Sequence, residues 1–207
     1  MPRPAPAYTR LDVDERRRRL LALGADLFTR HAYDELSMSA IAREAGISKA
    51  LLYHYFPSKQ AFFQATLEQA AAELAERVTP AEGLPPAQQL MAGLDAFLGW
   101  IEENETAYRK LMRSVASVTE ARELVDRVRY QTAEEILAGL TDGAEPAPEL
   151  RTAVRAWLWF MDGACLEWLE HRDMERPQVV GLLLGTLLGA ITASGHPEAV
   201  ARVVPGT

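Results

Sequence analysis

The chain has 207 residues, 48% hydrophobic and 25% charged, ordinary globular proportions that exclude a disordered chain. Thirteen glycines and twelve prolines without a fixed period exclude collagen-like and low-complexity classes, and one cysteine excludes an intramolecular disulfide framework or a Cys-based metal cluster. Charge is unevenly spread. Residues 1–59 carry ten basic and seven acidic side chains, a net +3, whereas residues 60–207 carry twelve and twenty-two, a net −10. This asymmetry points to the head, not the body, as the part that meets a polyanion, although scattered surface charge would look the same. The lone thiol fits a reducing compartment, and the basic, Pro-rich start MPRPAPAYTR lacks the apolar stretch of a secretory signal, so a cytoplasmic location is expected.

Apolar residues recur at helical spacing without a convincing alternating run, which predicts an all-α fold of about nine helices. Residues 1–10 read as a flexible arm. A first helix is expected from about Asp12 to His31, with Leu20, Gly24, Leu27 and Phe28 on one face. Ser37 is a good N-cap for a short helix from Met38 to about Ala45, which Gly46 stops by taking the left-handed region. Ser48 caps a third helix that ends near Tyr55, before the Phe56-Pro57 break. Ser58 opens a longer helix to Val78, with Phe63, Leu67, Ala70 and Leu74 as its stripe. The segment TPAEGLPP (79–86) is a linker, and helices are expected near 86–103, 106–116, 119–141, 147–172 and 177–194. The apolar run Val179–Ala193 is shorter than the ~20 residues of a bilayer span, so it reads as a buried helix and no membrane partner is expected. On it Gly181, Gly185 and Gly189 share a face, which suits close approach by another helix, or reflects composition alone.

The most informative segment is SMSAIAREAGISKALLYHYFPSK (37–59). Two short helices about a Gly-containing turn (36–55) match a helix-turn-helix, whose second helix enters the major groove. Ile41, Ala42, Ala45, Leu52 and Phe56 face inward; Ser48, Lys49, Ala50, Leu51, Tyr53, His54 and Tyr55 face outward. Lys49 can reach a guanine edge or a phosphate, Ala50 and Leu51 can touch thymine methyls, and the tyrosines and histidine can donate to phosphates. Ser37 and Ser39 on the preceding helix, and Lys59 at the next helix N-terminus, complete the candidate DNA-binding set. This segment, above all LYHYFPSK (52–59), closely resembles the DNA-binding head of the TetR family of bacterial transcriptional regulators, over residues 12–65. The resemblance implies a DNA-binding domain at 11–58 and a ligand-binding, dimerisation domain at 59–207. Where family members usually have Gly, this chain has Ala32; a positive φ there would strain it by ~1 kcal/mol.

All four tryptophans, Trp100, Trp157, Trp159 and Trp168, fall in the body. Helix 147–172 is apolar on more than one side, as expected of a helix between a pocket and a subunit interface. Candidate pocket residues are Trp100, Tyr108, Met112, Trp157, Phe160, Met161, Cys165 and Trp168, each of which also fits plain core. Asp162, amid this apolar stretch, could meet a ligand's polar end, cross a dimer axis or be a satisfied core carboxylate. Trp159 and Leu166, with the three glycines, are the expected dimer face. Glu167 and His171 at i, i+4 offer half a metal site or a surface salt bridge; no metal or cofactor is expected. GxSxG, Walker-type and GxGxxG patterns do not occur in the sequence, and Cys165 reads as a small buried hydrophobe, so no enzyme is expected. The resemblance implies a homodimeric repressor of double-stranded operator DNA, responsive to a small, largely apolar effector. A helical small-molecule carrier with a silent head is the alternative.

Overall fold

The computed structural model describes residues 10–79 and 83–203, so most of the N-terminal arm and part of the 79–86 linker lie outside it. Among the described residues there are ten α-helices and one 3-10 turn, and no strand. The head begins with α1 (Arg10–Arg30), followed by the turn Tyr33–Glu35, α2 (Met38–Glu44), α3 (Lys49–Tyr55) and α4 (Lys59–Val78). Local chemistry sets each boundary. The Ser37 hydroxyl accepts from the Ala40 N–H at 3.2 Å, Ser48 from Leu51 at 3.1 Å, and Ser58 from Ala61 at 3.0 Å. These three caps satisfy orphan donors at three successive helix starts. Gly46 takes φ +65° between α2 and α3. Ala32, in contrast, has φ −67°, so the strain that a positive φ would bring does not arise; the backbone turns through the 3-10 segment, whose Glu35 accepts from the Ala32 N–H at 2.8 Å.

The chain divides into two compact units between Ala70 and Ala71, within α4. The first turns of α4 belong to the head because Phe62, Phe63 and Thr66 are buried there. The stripe expected from Phe63 through Leu67 to Leu74 is thus rotated: Leu67, Ala70 and Leu74 are only half-buried. Gly24 explains the rotation. Its bare backbone on α1 admits Phe62 and Thr66 at contact distance, where any Cβ would clash. Leu20, Leu21, Leu27, Ile41, Leu52, Phe56 and Phe62 form the head core.

The body consists of α5 (Pro86–Glu103), α6 (Glu105–Ser114), α7 (Thr119–Thr141), α8 (Pro148–His171), α9 (Arg176–Ala193) and α10 (Pro197–Val203). Pro86, Pro148 and Pro177 occupy first turns, where a missing N–H costs nothing. The short α10 exceeds the expected count; it docks Ala199 into the core. By length and composition α9 is apolar enough to cross a membrane, but Val179, Leu183, Leu187 and Ile191 pack into the body core at i, i+4, i+8 and i+12. The helix is not buried all round, as the sequence suggested. Gly181, Leu182, Gly185 and Gly189 face outward, and a Cβ on any of the three glycines would meet nothing within 4 Å.

Candidate nucleic-acid interface and body core

In the head, α3 presents Lys49, Ala50, Tyr53 and His54 outward, with Ser48 exposed at its start and Leu51 half-buried. Lys49 Nζ lies 5.8 Å from the Tyr53 ring, so the two form one cationic, hydrogen-bonding edge. Ser37 and Ser39 are exposed on the α2 side, and the capping Ser37 oxygen leaves its own O–H free to donate outward. Two members of the expected set are placed differently. Tyr55 is half-buried and its ring packs on the head core beside Phe56, because it lies on the α3 side adjoining Leu52. Lys59 donates to the Tyr33 carbonyl at 3.0 Å and sits 4.1 Å over the Tyr33 ring. Its ammonium is therefore a clamp between α4 and the 3-10 turn before it is a phosphate contact. Nothing in the local sequence marks Tyr33 as its seat, 26 residues earlier.

In the body, the expected pocket set separates. Trp157, Trp168, Cys165 and Tyr108 are buried, with Trp100, Met112 and Met161 half-buried against the same cluster. Both buried indoles are satisfied: Trp157 Nε1 donates to the Leu183 carbonyl at 3.0 Å and Trp168 Nε1 to the Met174 carbonyl at 2.8 Å. They are fixed parts of the packing between α8 and α9. Phe160 does not join them; it is exposed on α8. Trp159 is exposed at 62%. Leu166, in contrast, packs on its own chain's core. His171 Nε2 lies 3.1 Å from Glu167 Oε1, an exposed i, i+4 contact. Among the described residues no group of three or more His, Cys, Asp or Glu could hold a metal ion.

Asp162 proves to be an ion-pair partner. Arg129 of α7 reaches Asp162 Oδ2 with Nε at 2.7 Å and Nη2 at 2.6 Å, and the Tyr108 hydroxyl donates to Oδ1 at 3.4 Å. Burial raises the Asp162 pKa above its ordinary value, against the opposing pull of Arg129. Burial likewise raises Tyr108 and pushes the Cys165 thiol up to about 12, so neither ionises at neutral pH. Arg129 gives no sequence signal, lying 33 residues from Asp162. A separate surface cleft of about 460 Å³ is lined by Glu102, Trp168, Arg172, Met174, Glu175, Arg176 and Pro177. Its two arginines are already paired, Arg172 with Glu102 at 3.0 Å and Arg176 with Asp95 at 2.9 Å.

Comparison with known proteins bears on both units. A family model described as bacterial regulatory proteins, tetR family, matches residues 20–66, and one described as a tetracyclin repressor-like C-terminal domain matches residues 86–189. The chain is 32% identical to a crystal structure of a tetR-family transcriptional regulator from Streptomyces coelicolor, covering 92% of this chain and 87% of that one at a TM-score of 0.77. It is 34% identical over 107 residues to the HTH-type transcriptional activator FasR of Mycolicibacterium smegmatis, covering 51% of this chain and 49% of that protein. The chain thus aligns with about half the length of that relative. A Thermus thermophilus FadR, a TetR-family repressor solved with lauroyl-CoA, shares the fold at a TM-score of 0.62 and 20% identity, covering 84% of this chain and 94% of that one. Matches across both the capped helix-turn-helix and the α5–α9 body settle the assignment: the chain belongs to the TetR family of bacterial transcriptional regulators.

Proposed function

We propose that this regulator binds a palindromic operator as a homodimer in the cytoplasm, and that a small, largely apolar effector bound in the body releases it, so that it acts as a repressor. The observation that carries the DNA half is the open edge of α3, where Lys49, Tyr53 and His54 stand together on a helix fixed by the Ser48 cap. A two-fold pair of such helices reads half-sites ~34–36 Å apart, or a multiple of that. The dimer half is supported by the exposed apolar face of α8 and α9. Trp159 and Phe160 are exposed on α8, and on α9 Leu182 is exposed near three glycines on which a Cβ would meet nothing within 4 Å in the same chain. Close helix crossing by a second copy gives those glycines a reason to be retained despite a propensity cost of ~1 kcal/mol each.

Release follows if the effector prefers a body shape that mispositions the heads. The helix α4 runs unbroken from Lys59 to Val78 through the division between the two units, which gives such a shift a stiff route. A tenfold to hundredfold loss of operator affinity needs only ~1.4–2.8 kcal/mol of coupling. The test begins by selecting an operator from a random DNA pool with the full-length protein, then measuring affinity against salt. Two heads that each neutralise at least one phosphate predict a log–log slope of magnitude about 2 or more. Enrichment of a palindrome with that slope supports the reading. Failure to retain bulk DNA at low salt refutes it and favours the carrier alternative.

A further inference from the structure

Asp162 and Arg129 form an ion pair in a place where an ion pair is poorly repaid. Their side chains are only 13% and 12% exposed, and they lie beside the apolar cluster that holds Tyr108 and Cys165. Replacing such pairs by apolar residues is often neutral or stabilising, so their presence in a core asks for a reason beyond stability. The pair is also lopsided. Arg129 crowds two of its three guanidinium nitrogens onto Oδ2, leaving Oδ1 with a Tyr108 contact of 3.4 Å, long for an O–H···O bond. Arg129 has alternatives of its own. Its Nη1 already reaches Asp126 Oδ1 on α7 at 3.2 Å, and its guanidinium lies 4.0 Å over the exposed Trp159 ring. Arg129 can therefore yield Asp162 without being left bare, whereas Asp162 has little to fall back on.

We infer that Asp162 is the polar anchor for the effector, and that the effector is an apolar molecule with a cationic, amine-type head. This inference rests on the ligand-responsive reading above and adds the charge of the ligand. A cation entering at Oδ1 meets a carboxylate in a low-dielectric setting, where burial already leaves that carboxylate short of compensation. Arg129 then relaxes onto Asp126 and Trp159. The net −10 of residues 60–207 favours approach of a cationic ligand and opposes an anionic one. Met161, next to Asp162, and Met112, one turn beyond Tyr108, are half-buried and unbranched, and can give way to an apolar tail.

The test uses the full-length protein and three probes of equal chain length, each below its micelle concentration: dodecyltrimethylammonium, dodecanoate and dodecanol. Affinity is read by tryptophan emission and by titration calorimetry. The ammonium is expected to bind about tenfold or more tighter than the carboxylate, the equivalent of about 1.4 kcal/mol. Asp162→Asn should bring those two within about twofold of each other while dodecanol affinity stays put. Arg129→Gln, which removes the competitor, should tighten the ammonium further, and it decides the matter if Asp162→Asn does not fold. Dodecanoate binding as tightly as the ammonium, a preference that survives Asp162→Asn, or an ammonium affinity unmoved by Arg129→Gln each overturns the assignment and leaves the pair as an α7–α8 strap. No DNA is present, so a failure here is separate from a failure of operator binding.

Discussion

Gly24→Ala is a one-carbon change whose cost can be worked from distances. The new Cβ would lie 2.5 Å from Thr66 Oγ1, 2.8 Å from Phe62 Cζ and 3.1 Å from Phe62 Cε1. Neither neighbour has room to retreat. Phe62 is fully buried and packs against Phe56 at a centroid distance of 4.9 Å, and the Thr66 hydroxyl is committed to the Phe62 carbonyl at 2.9 Å. Helix propensity favours alanine by about 1 kcal/mol, while overpacking of a tight core costs about 1–3 kcal/mol. Two contacts below 3.0 Å put this site in the upper part of that range, so the net effect is a loss of about 1–2 kcal/mol. The chain has two units, so global unfolding is a poor assay and peptide-level hydrogen exchange is the better one. Head peptides covering α1 and the start of α4 should lose protection about 5- to 30-fold, with body peptides unchanged. Gly139→Ala is the internal control: nothing lies within 4 Å of its Cβ, so α7 peptides should keep or gain protection. Unchanged or raised head protection in Gly24→Ala would show that α1 and α4 do not meet at this glycine.

Gly185→Leu, which has open space in one chain, should fold normally and yet scatter light as a monomer; a fully dimeric variant would place the subunit contact elsewhere. Lys59→Ala removes a charge-assisted bond and a ring contact, so it should cost the head about 1–2 kcal/mol and also weaken all DNA sequences alike. Hydrogen exchange and salt slope read the two effects separately, and intact head protection would refute the clamp. Cys165 should resist thiol reagents in the native protein at pH 8 and react at once after unfolding. Its folded pKa of about 12 lies above the ordinary 9.0. The stability it supports is therefore full below pH 9 and lost as pH rises towards 12, which alkaline titration of Cys165→Ala against the unmodified chain would check.

The head was almost wholly legible in the sequence because its boundaries are set by neighbours in the chain. Ser37, Gly46, Ser48 and Ser58 act within three or four residues of themselves, and a cap or a left-handed turn needs no knowledge of the rest of the molecule. The helical class of the body was legible for the same reason, through apolar spacing. The short α10 was not, since seven residues give periodicity too little length to show. What only the tertiary structure decided is which side of each helix meets which partner. Apolar spacing put Leu67 and Leu74 on the α4 stripe, but the slot left by Gly24 turned Phe62 and Thr66 inward. The charge of Lys59 suggested a phosphate, but Tyr33, 26 residues away, holds it. The sequence leaves Asp162 open to three roles, and its contact with Arg129, 33 residues away, is visible only in the folded chain. Spacing along a helix fixes what a face is made of. The partner that face meets depends on packing among residues distant in sequence, and no local pattern encodes that choice.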